Sequence, residues 1–181
     1  IEHIDPMGQG VSKLSEKVAF ISKTLPNESG QASILKSSKG VLFGKVQKIE
    51  KESEDRISPK CLHYESCGGC HYLHTFYQKE IEFKEKSLQK HLAKINSELP
   101  ITVHPADQRF SYRNRIQLHY NHGHIGFQKP FKRGILPIKS CLLANPEVAK
   151  VMDEIIQDFP GSLPKNQPKS GHVEIYNAKE G

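Results

Sequence analysis

Three of the chain's four cysteines lie within ten residues, Cys61-Leu-His-Tyr-Glu-Ser-Cys67-Gly-Gly-Cys70, and the fourth, Cys141, sits in the apolar stretch Ile135-Leu-Pro-Ile-Lys-Ser-Cys141-Leu-Leu. Thiolates are soft metal ligands, and three so close together point first to a metal site. A fold that returned Cys141 to the trio would complete the four-thiolate set taken by an iron-sulfur cluster or a structural zinc. Structural zinc usually draws on two Cys-x-x-Cys knuckles, and only Cys67-Gly-Gly-Cys70 has that form. A tight trio with one remote partner therefore fits a cluster better. Gly68 and Gly69 help, because glycine lets the backbone approach bulky inorganic sulfides and presents unobstructed N–H donors. Spacing leaves zinc open, with His63, His71 or His74 replacing one thiolate, and also a redox or structural cysteine pair. If all four thiols ligate, none remains as a catalytic nucleophile.

A second candidate site is electrostatic. The net charge of +6 is concentrated in residues 101–140, which hold seven Lys/Arg against one acid; the remaining residues balance. A local field of that kind suits a polyanion, and nucleic acid is the commonest one. Arg113, Arg115, Lys129, Lys132 and Arg133 are the candidate phosphate contacts, and Phe127 the candidate stacking surface, with Phe131 and Tyr112 as alternates. Each has a plainer reading: the arginines as a solvated strand face, Phe127 as core.

The elements that must position these groups follow from pattern. Residues 1–52 read as short strands, Lys17–Ser22, Gly30–Leu35 and Val41–Val46, separated by turn signals, which suggests a small closed barrel. Gly8-Gln9-Gly10 reads as a hairpin turn, since no helix follows it to make a phosphate cradle. Residues 53–60 are polar and aperiodic, a linker. A helix is expected from Thr75 to Ser97, with Tyr77, Ile81, Leu88, Leu92 and Ile95 as a core-facing stripe. Lys84 lies on that stripe along its aliphatic stem. Arg115–Tyr120 alternates, with Ile116, Leu118 and Tyr120 on one face and Arg115, Gln117 and His119 on the other. Asn121-His-Gly-His124 then turns the chain into Ile125-Gly-Phe127. His119, His122 and His124 read as solvated residues near the hairpin tip. Val173–Tyr176 reads as a strand whose partner comes later in the chain.

Composition is that of a soluble globular protein, and no apolar run approaches a membrane span. The clustered cysteine spacing favours a reducing compartment, so a cytoplasmic location is expected. The chain begins at Ile1 without an initiator Met or a leader, and both ends look like cuts, so it is expected to be a piece of a longer protein.

In order along the chain, Asp5-Pro-Met-Gly-Gln-Gly-Val11, Val18-Ala-Phe-Ile21 and Leu25-Pro-Asn-Glu28 are followed by the cysteine trio with His74, Tyr77, Gln78 and Lys79. Then come Tyr112-Arg-Asn-Arg115, Ile125-Gly-Phe127, Ile138-Lys-Ser-Cys141 and Gly171-His-Val-Glu174. This succession resembles the N-terminal portion of the bacterial RNA uridine-5 methyltransferases. The resemblance is nearest to the 23S ribosomal RNA branch, which carries a TRAM barrel and a 4Fe-4S cluster. It implies an α+β chain whose all-β N-terminal domain, residues 1–52, is an OB-like five-stranded TRAM barrel. Residues 61–181 would form an antiparallel-sheet-plus-helix iron-sulfur domain with Cys61, Cys67, Cys70 and Cys141 as ligands. A cluster so held reads as structural or redox-sensing.

The resemblance also implies a monomer that binds RNA, by preference ribosomal, with no membrane partner. S-adenosyl-L-methionine would belong to a Rossmann-like domain that these residues lack. There, by resemblance, a cysteine attacks C6 of a uridine, C5 takes the methyl group and a base removes the C5 proton. These residues would position RNA and do no chemistry. The competing class is a stand-alone iron-sulfur or zinc RNA-binding adaptor without catalysis.

Overall fold

The structure, a computed structural model, describes residues 1–96, 99–159, 161, 166 and 168–178. It divides into two compact units. The first comprises Ile1–Lys60 with Cys70–Pro105, the second Cys61–Gly69 with Ala106–Gly181.

The first unit is built on a five-stranded mixed sheet of β1 (His3–Ile4), β2 (Gln9–Leu14), β3 (Lys17–Ser22), β4 (Ser29–Ser38) and β5 (Val41–Lys51), in the order β1-β2-β3-β5-β4. β3 and β5 run parallel, Val18 opposite Val41 through Ser22 opposite Lys45, and every other pair is antiparallel. The turn after β1 is tied by Asp5, whose carboxylate accepts the N–H groups of Met7 and Gln9 at 2.9 and 2.7 Å. This is the hairpin read from Gly8-Gln9-Gly10. Alternation along β3 buries Ala19 and Ile21, which join Val11 and Leu25 in the core. Three register shifts bend β4 against β5, and a cavity of about 240 Å³ lined from β2, β3, β4 and β5 shows the sheet curling on itself. Among the described residues no ladder joins β1 to β4, so the sheet has two edges where a closed barrel was expected.

Residues 53–60 do not behave as a free linker. Arg56 inserts its guanidinium onto the buried Glu28 carboxylate, donating through Nε to Oε1 and through Nη2 to Oε2 at 2.8 Å, and also to the Lys23 carbonyl at 3.0 Å. Backbone bonds continue the attachment, from Ile57 N–H to the His74 carbonyl at 3.0 Å. The compact units therefore divide the chain differently from cuts at 52 and 61. An ion pair between residues far apart in sequence leaves no compositional trace.

The expected helix is present as α1 (Tyr77–Leu92), shorter than the Thr75–Ser97 span; Ser97 lies outside the described residues. Its stripe is not core. No residue of α1 is buried, and Leu88 and Ile95 are 48% and 82% exposed. Periodicity selects the residues that share a face, but whether another element covers that face is a tertiary matter. Lys84 pairs with Glu80 at 2.6 Å and sets its ammonium 5.4 Å from the Tyr72 ring centre.

The second unit is a four-stranded antiparallel sheet, β8-β7-β6-β9, with α2 (Pro146–Asp158) packed on one face. Its strands are β6 (Arg115–Asn121), β7 (His124–Gln128), β8 (Ile135–Leu136) and β9 (Ser170–Tyr176). His122 and Gly123, with φ of 45° and 82°, form the two-residue turn that joins β6 to β7 with the strand twist preserved. Ile116, Leu118 and Tyr120 point inward as the alternation requires, against Val148 and Met152 of α2. Asn145 caps α2 by accepting the Val148 N–H at 2.8 Å, and Pro146 takes the first helical position. β9 pairs along its whole length with the earlier strand β6, where a later partner was expected, and it stands at the edge of the sheet.

Candidate nucleic-acid interface

With α2 on one face, the other face of the second sheet is left polar. β6 places Arg115, Gln117, His119 and Asn121 there, opposite Tyr176, Glu174, His172 and Ser170 of β9. Arg115 donates through Nε and Nη2 to the same oxygen of Glu174, at 2.8 and 2.6 Å, so its charge is largely answered within the sheet. The rings of His119 and His172 stand 6.0 Å apart.

β7 leaves this face into a loop closed by the Lys129 N–H donating to the Gly134 carbonyl at 3.0 Å. The loop and the adjoining ends of β6 and β9 enclose a groove of about 590 Å³, lined by Lys129, Lys132, Arg133, Phe131, Gln128, His119 and Asn121 among others, with no acid in its wall. Lys129, Lys132, Arg133 and Phe131 are all exposed.

Of the residues expected to contact RNA, the structure brings together Lys129, Lys132 and Arg133. Arg113 lies on the segment before β6, exposed, where its backbone donates to the Leu143 carbonyl and accepts from Asn145 N–H at 2.7 and 2.8 Å. Neither Arg113 nor Arg115 lines the groove. Phe127 is half-buried against the hydrophobic cluster, a packing residue; of the two alternates, Phe131, 55% exposed, lines the groove, whereas Tyr112, 56% exposed, does not. His119 belongs to the groove wall and not to the hairpin tip. Its membership was signalled by the alternation with Arg115 and Gln117, whereas the groove itself needed the 129–134 loop to fold back.

Cys61–Gly69 form a tight turn in the second unit, and Cys70 belongs to the first. The Tyr64 N–H donates to the Cys61 carbonyl at 3.1 Å, and the Ser66 and Cys67 N–H groups donate to the His63 carbonyl at 3.0 and 2.8 Å. His63 Nε2 accepts the Lys139 N–H at 2.9 Å, which ties this turn to the segment just before Cys141. The Gly69 N–H lies 3.4 Å from Cys67 Sγ, the donor-to-sulfur geometry for which glycines suit such a turn. Gly68 passes so near the basic loop that a Cβ there would meet the Pro130 Cβ at 3.1 Å.

All four cysteines are half-buried, and none is in a disulfide. The donor set therefore has the chemistry of a cluster site. Among the described residues no three His, Cys, Asp or Glu side chains converge as a metal-sized group.

The three histidines considered as replacement ligands are occupied otherwise. His63 accepts from Lys139, and His71 Nδ1 is paired with the Met7 carbonyl. His74 is fully buried in the first unit. Burial first, and then the Arg56 charge, push its pKa down to about 4, against the opposing pull of the Thr24 carbonyl and Glu28. It is a neutral core residue.

No protein-family model matches the chain. It is 32% identical to the 23S rRNA (uracil(1939)-C(5))-methyltransferase RlmD of Shewanella sediminis, over 100% of the chain and 42% of that protein. Identity to the RlmD of Haemophilus influenzae is 31%, over 98% of the chain and 42% of that protein. These residues belong to the RNA uracil-C5 methyltransferase family, as its N-terminal part. An uncharacterized RNA methyltransferase of Staphylococcus aureus is 32% identical over 91% of the chain and 39% of its own length.

The chain thus spans about two fifths of the curated relatives it matches. Its fold is also that of the crystal structure of Pyrococcus abyssi tRNA (uracil-54, C5)-methyltransferase in complex with S-adenosyl-L-homocysteine. There the TM-score is 0.63 at 22% identity, covering 88% of this chain and 35% of that one. Among the described residues no helix is long and apolar enough to cross a membrane.

Proposed function

We propose that this chain is the RNA-recognition part of an S-adenosyl-L-methionine-dependent methyltransferase acting on C5 of a uracil in 23S ribosomal RNA. The cofactor and the reaction belong to family regions beyond these residues, and the residues here hold the RNA. The observation that carries this reading is the acid-free groove with Lys129, Lys132 and Arg133 at its rim. The segment's excess of six positive charges gives it a field that attracts phosphate. In this reading the protein is a cytoplasmic monomer.

Two finer features belong to the same proposal. The first sheet is read as an OB-like TRAM barrel, supported by its strand order, its parallel β3–β5 pair and the cavity within its curl. Cys61, Cys67, Cys70 and Cys141 are read as the ligands of a 4Fe-4S cluster, supported by four cysteines outside any disulfide and the Gly69 N–H aimed at Cys67. Bound there, the cluster supplies a rigid inorganic crosslink, and this chain's residues orient its ligands.

Binding of a ribosomal RNA stem-loop at several salt concentrations tests the RNA reading. Each phosphate neutralised contributes about 0.7 to 0.9 to the slope of log K against log salt. Replacing Lys129, Lys132 and Arg133 together by serine should lower the slope by about 2. An unchanged slope removes the groove from the interface. Purification without oxygen tests the metal reading: iron, sulfide and broad absorption near ~400 nm are expected. A colourless protein with stoichiometric zinc overturns it. If the intact protein binds RNA but shows no methyl transfer to it, the stand-alone adaptor replaces the enzyme.

A further inference from the structure

The basic rim explains attraction to any nucleic acid, but the groove holds more than charge. Phe131 stands at its edge, 55% exposed, with φ of 61°. A bulky residue in the left-handed region is uncommon, and here the strain presents an aromatic ring to solvent instead of burying it. Beside it, the Gln128 amide lies 3.4 Å from Nδ1 of His119, so the wall offers hydrogen-bonding groups from an amide and an imidazole side by side. The volume, about 590 Å³, is that of a pocket for one small-molecule-sized group.

We propose that this groove is a subsite for one unpaired nucleotide of single-stranded RNA. The base stacks on Phe131, its polar edge meets Gln128 and His119, and the flanking phosphates lie on Lys129, Lys132 and Arg133. The inference rests on the RNA-binding reading above and narrows it. A paired base offers neither face nor Watson–Crick edge to a protein, and the reading of A-form duplexes is confined largely to backbone and shape. A cationic rim alone would serve a duplex equally well. An exposed aromatic next to an amide suits a base taken out of a helix.

The test compares a ten-nucleotide oligouridine strand with a ten-base-pair RNA duplex, both binding the whole chain, by fluorescence anisotropy. The single strand is expected to bind more tightly. Phe131→Asn, which removes the ring but accepts the left-handed conformation, should weaken single-strand binding by roughly 10-fold and leave duplex binding unchanged. Phe131→Tyr should retain the affinity of the parent protein.

If neither probe binds the parent protein, the RNA-binding reading itself fails. If both bind equally and Phe131→Asn changes neither, RNA binding stands and the nucleotide subsite is overturned. Equal weakening of both probes by Phe131→Asn also overturns it, because the ring would then act through loop shape and not through stacking.

Discussion

Replacing Arg56 by alanine isolates the contact that fastens residues 53–60 to the first unit. Glu28 is 2% exposed and receives two guanidinium bonds, with further donation from Leu25 N–H at 2.8 Å and Ser53 N–H at 3.4 Å. Burial pushes its carboxyl pKa up, but the Arg56 bonds and charge with the two backbone donors outweigh burial and hold it below the ordinary value. Removing one partner of a buried pair costs about 3–5 kcal/mol. Arg56 keeps 15% of its side chain in solvent, and Glu28 retains its backbone donors, so about 2–4 kcal/mol is expected at pH 7.

The Glu28 contribution to the pH dependence then changes sign. In the parent protein the depressed Glu28 pKa gives stability present above about 4.5 and lost as pH falls through the folded value. Without Arg56 burial dominates, the folded pKa rises above the unfolded one, and protonation relieves the variant as pH falls. His74 shifts in the same sense, because the Arg56 charge helps hold its pKa at about 4.

A histidine depressed from 6.5 to about 4 costs the parent protein stability as pH falls across that window, by roughly 3 kcal/mol at its lower end, and this cost shrinks in the variant. Denaturant unfolding followed by hydrogen exchange of the first-unit amides measures both effects. A loss below about 1 kcal/mol at pH 7, or a loss that stays constant from pH 7 to 4.5, would refute the reasoning.

Three further outcomes are expected. Met152, fully buried beneath the second sheet, should lose about 2–5 kcal/mol of stability as Met152→Ala, read by denaturant midpoint. Arg115→Ala should change the salt slope of RNA binding less than Lys132→Ala, because Glu174 already answers the Arg115 charge. His63→Ala should lower the iron retained per protein after oxygen-free purification, since it unties the cysteine turn from Lys139, while Cys141→Ser should lower it further.

The strands and their faces were legible because alternation is a local consequence of the pleat. Ile116, Leu118 and Tyr120 are buried, as the period of two requires. The β6–β7 turn was legible for the same kind of reason, since Gly123 supplies the conformation that such a turn needs. The α1 stripe was legible as a face and illegible as an interior. Ile81 and Leu88 share their side of the helix whether or not anything covers it, and Ile95 falls beyond its end.

The candidate site divides along the same line. The sequence by itself determined that the chain carries four thiols in a ligand-like spacing, and that its charge lies between residues 101 and 140, because both are properties of residue type and order. It could not separate Lys129, Lys132 and Arg133, which the loop brings to one groove, from Arg115, which a strand 59 residues away in sequence neutralises. Nor could it choose Phe131 over Phe127. One ring packs on the core and the other projects from a loop, and that depends on which backbone atoms the fold brings beneath each side chain, a matter of long-range packing that only the tertiary structure decided.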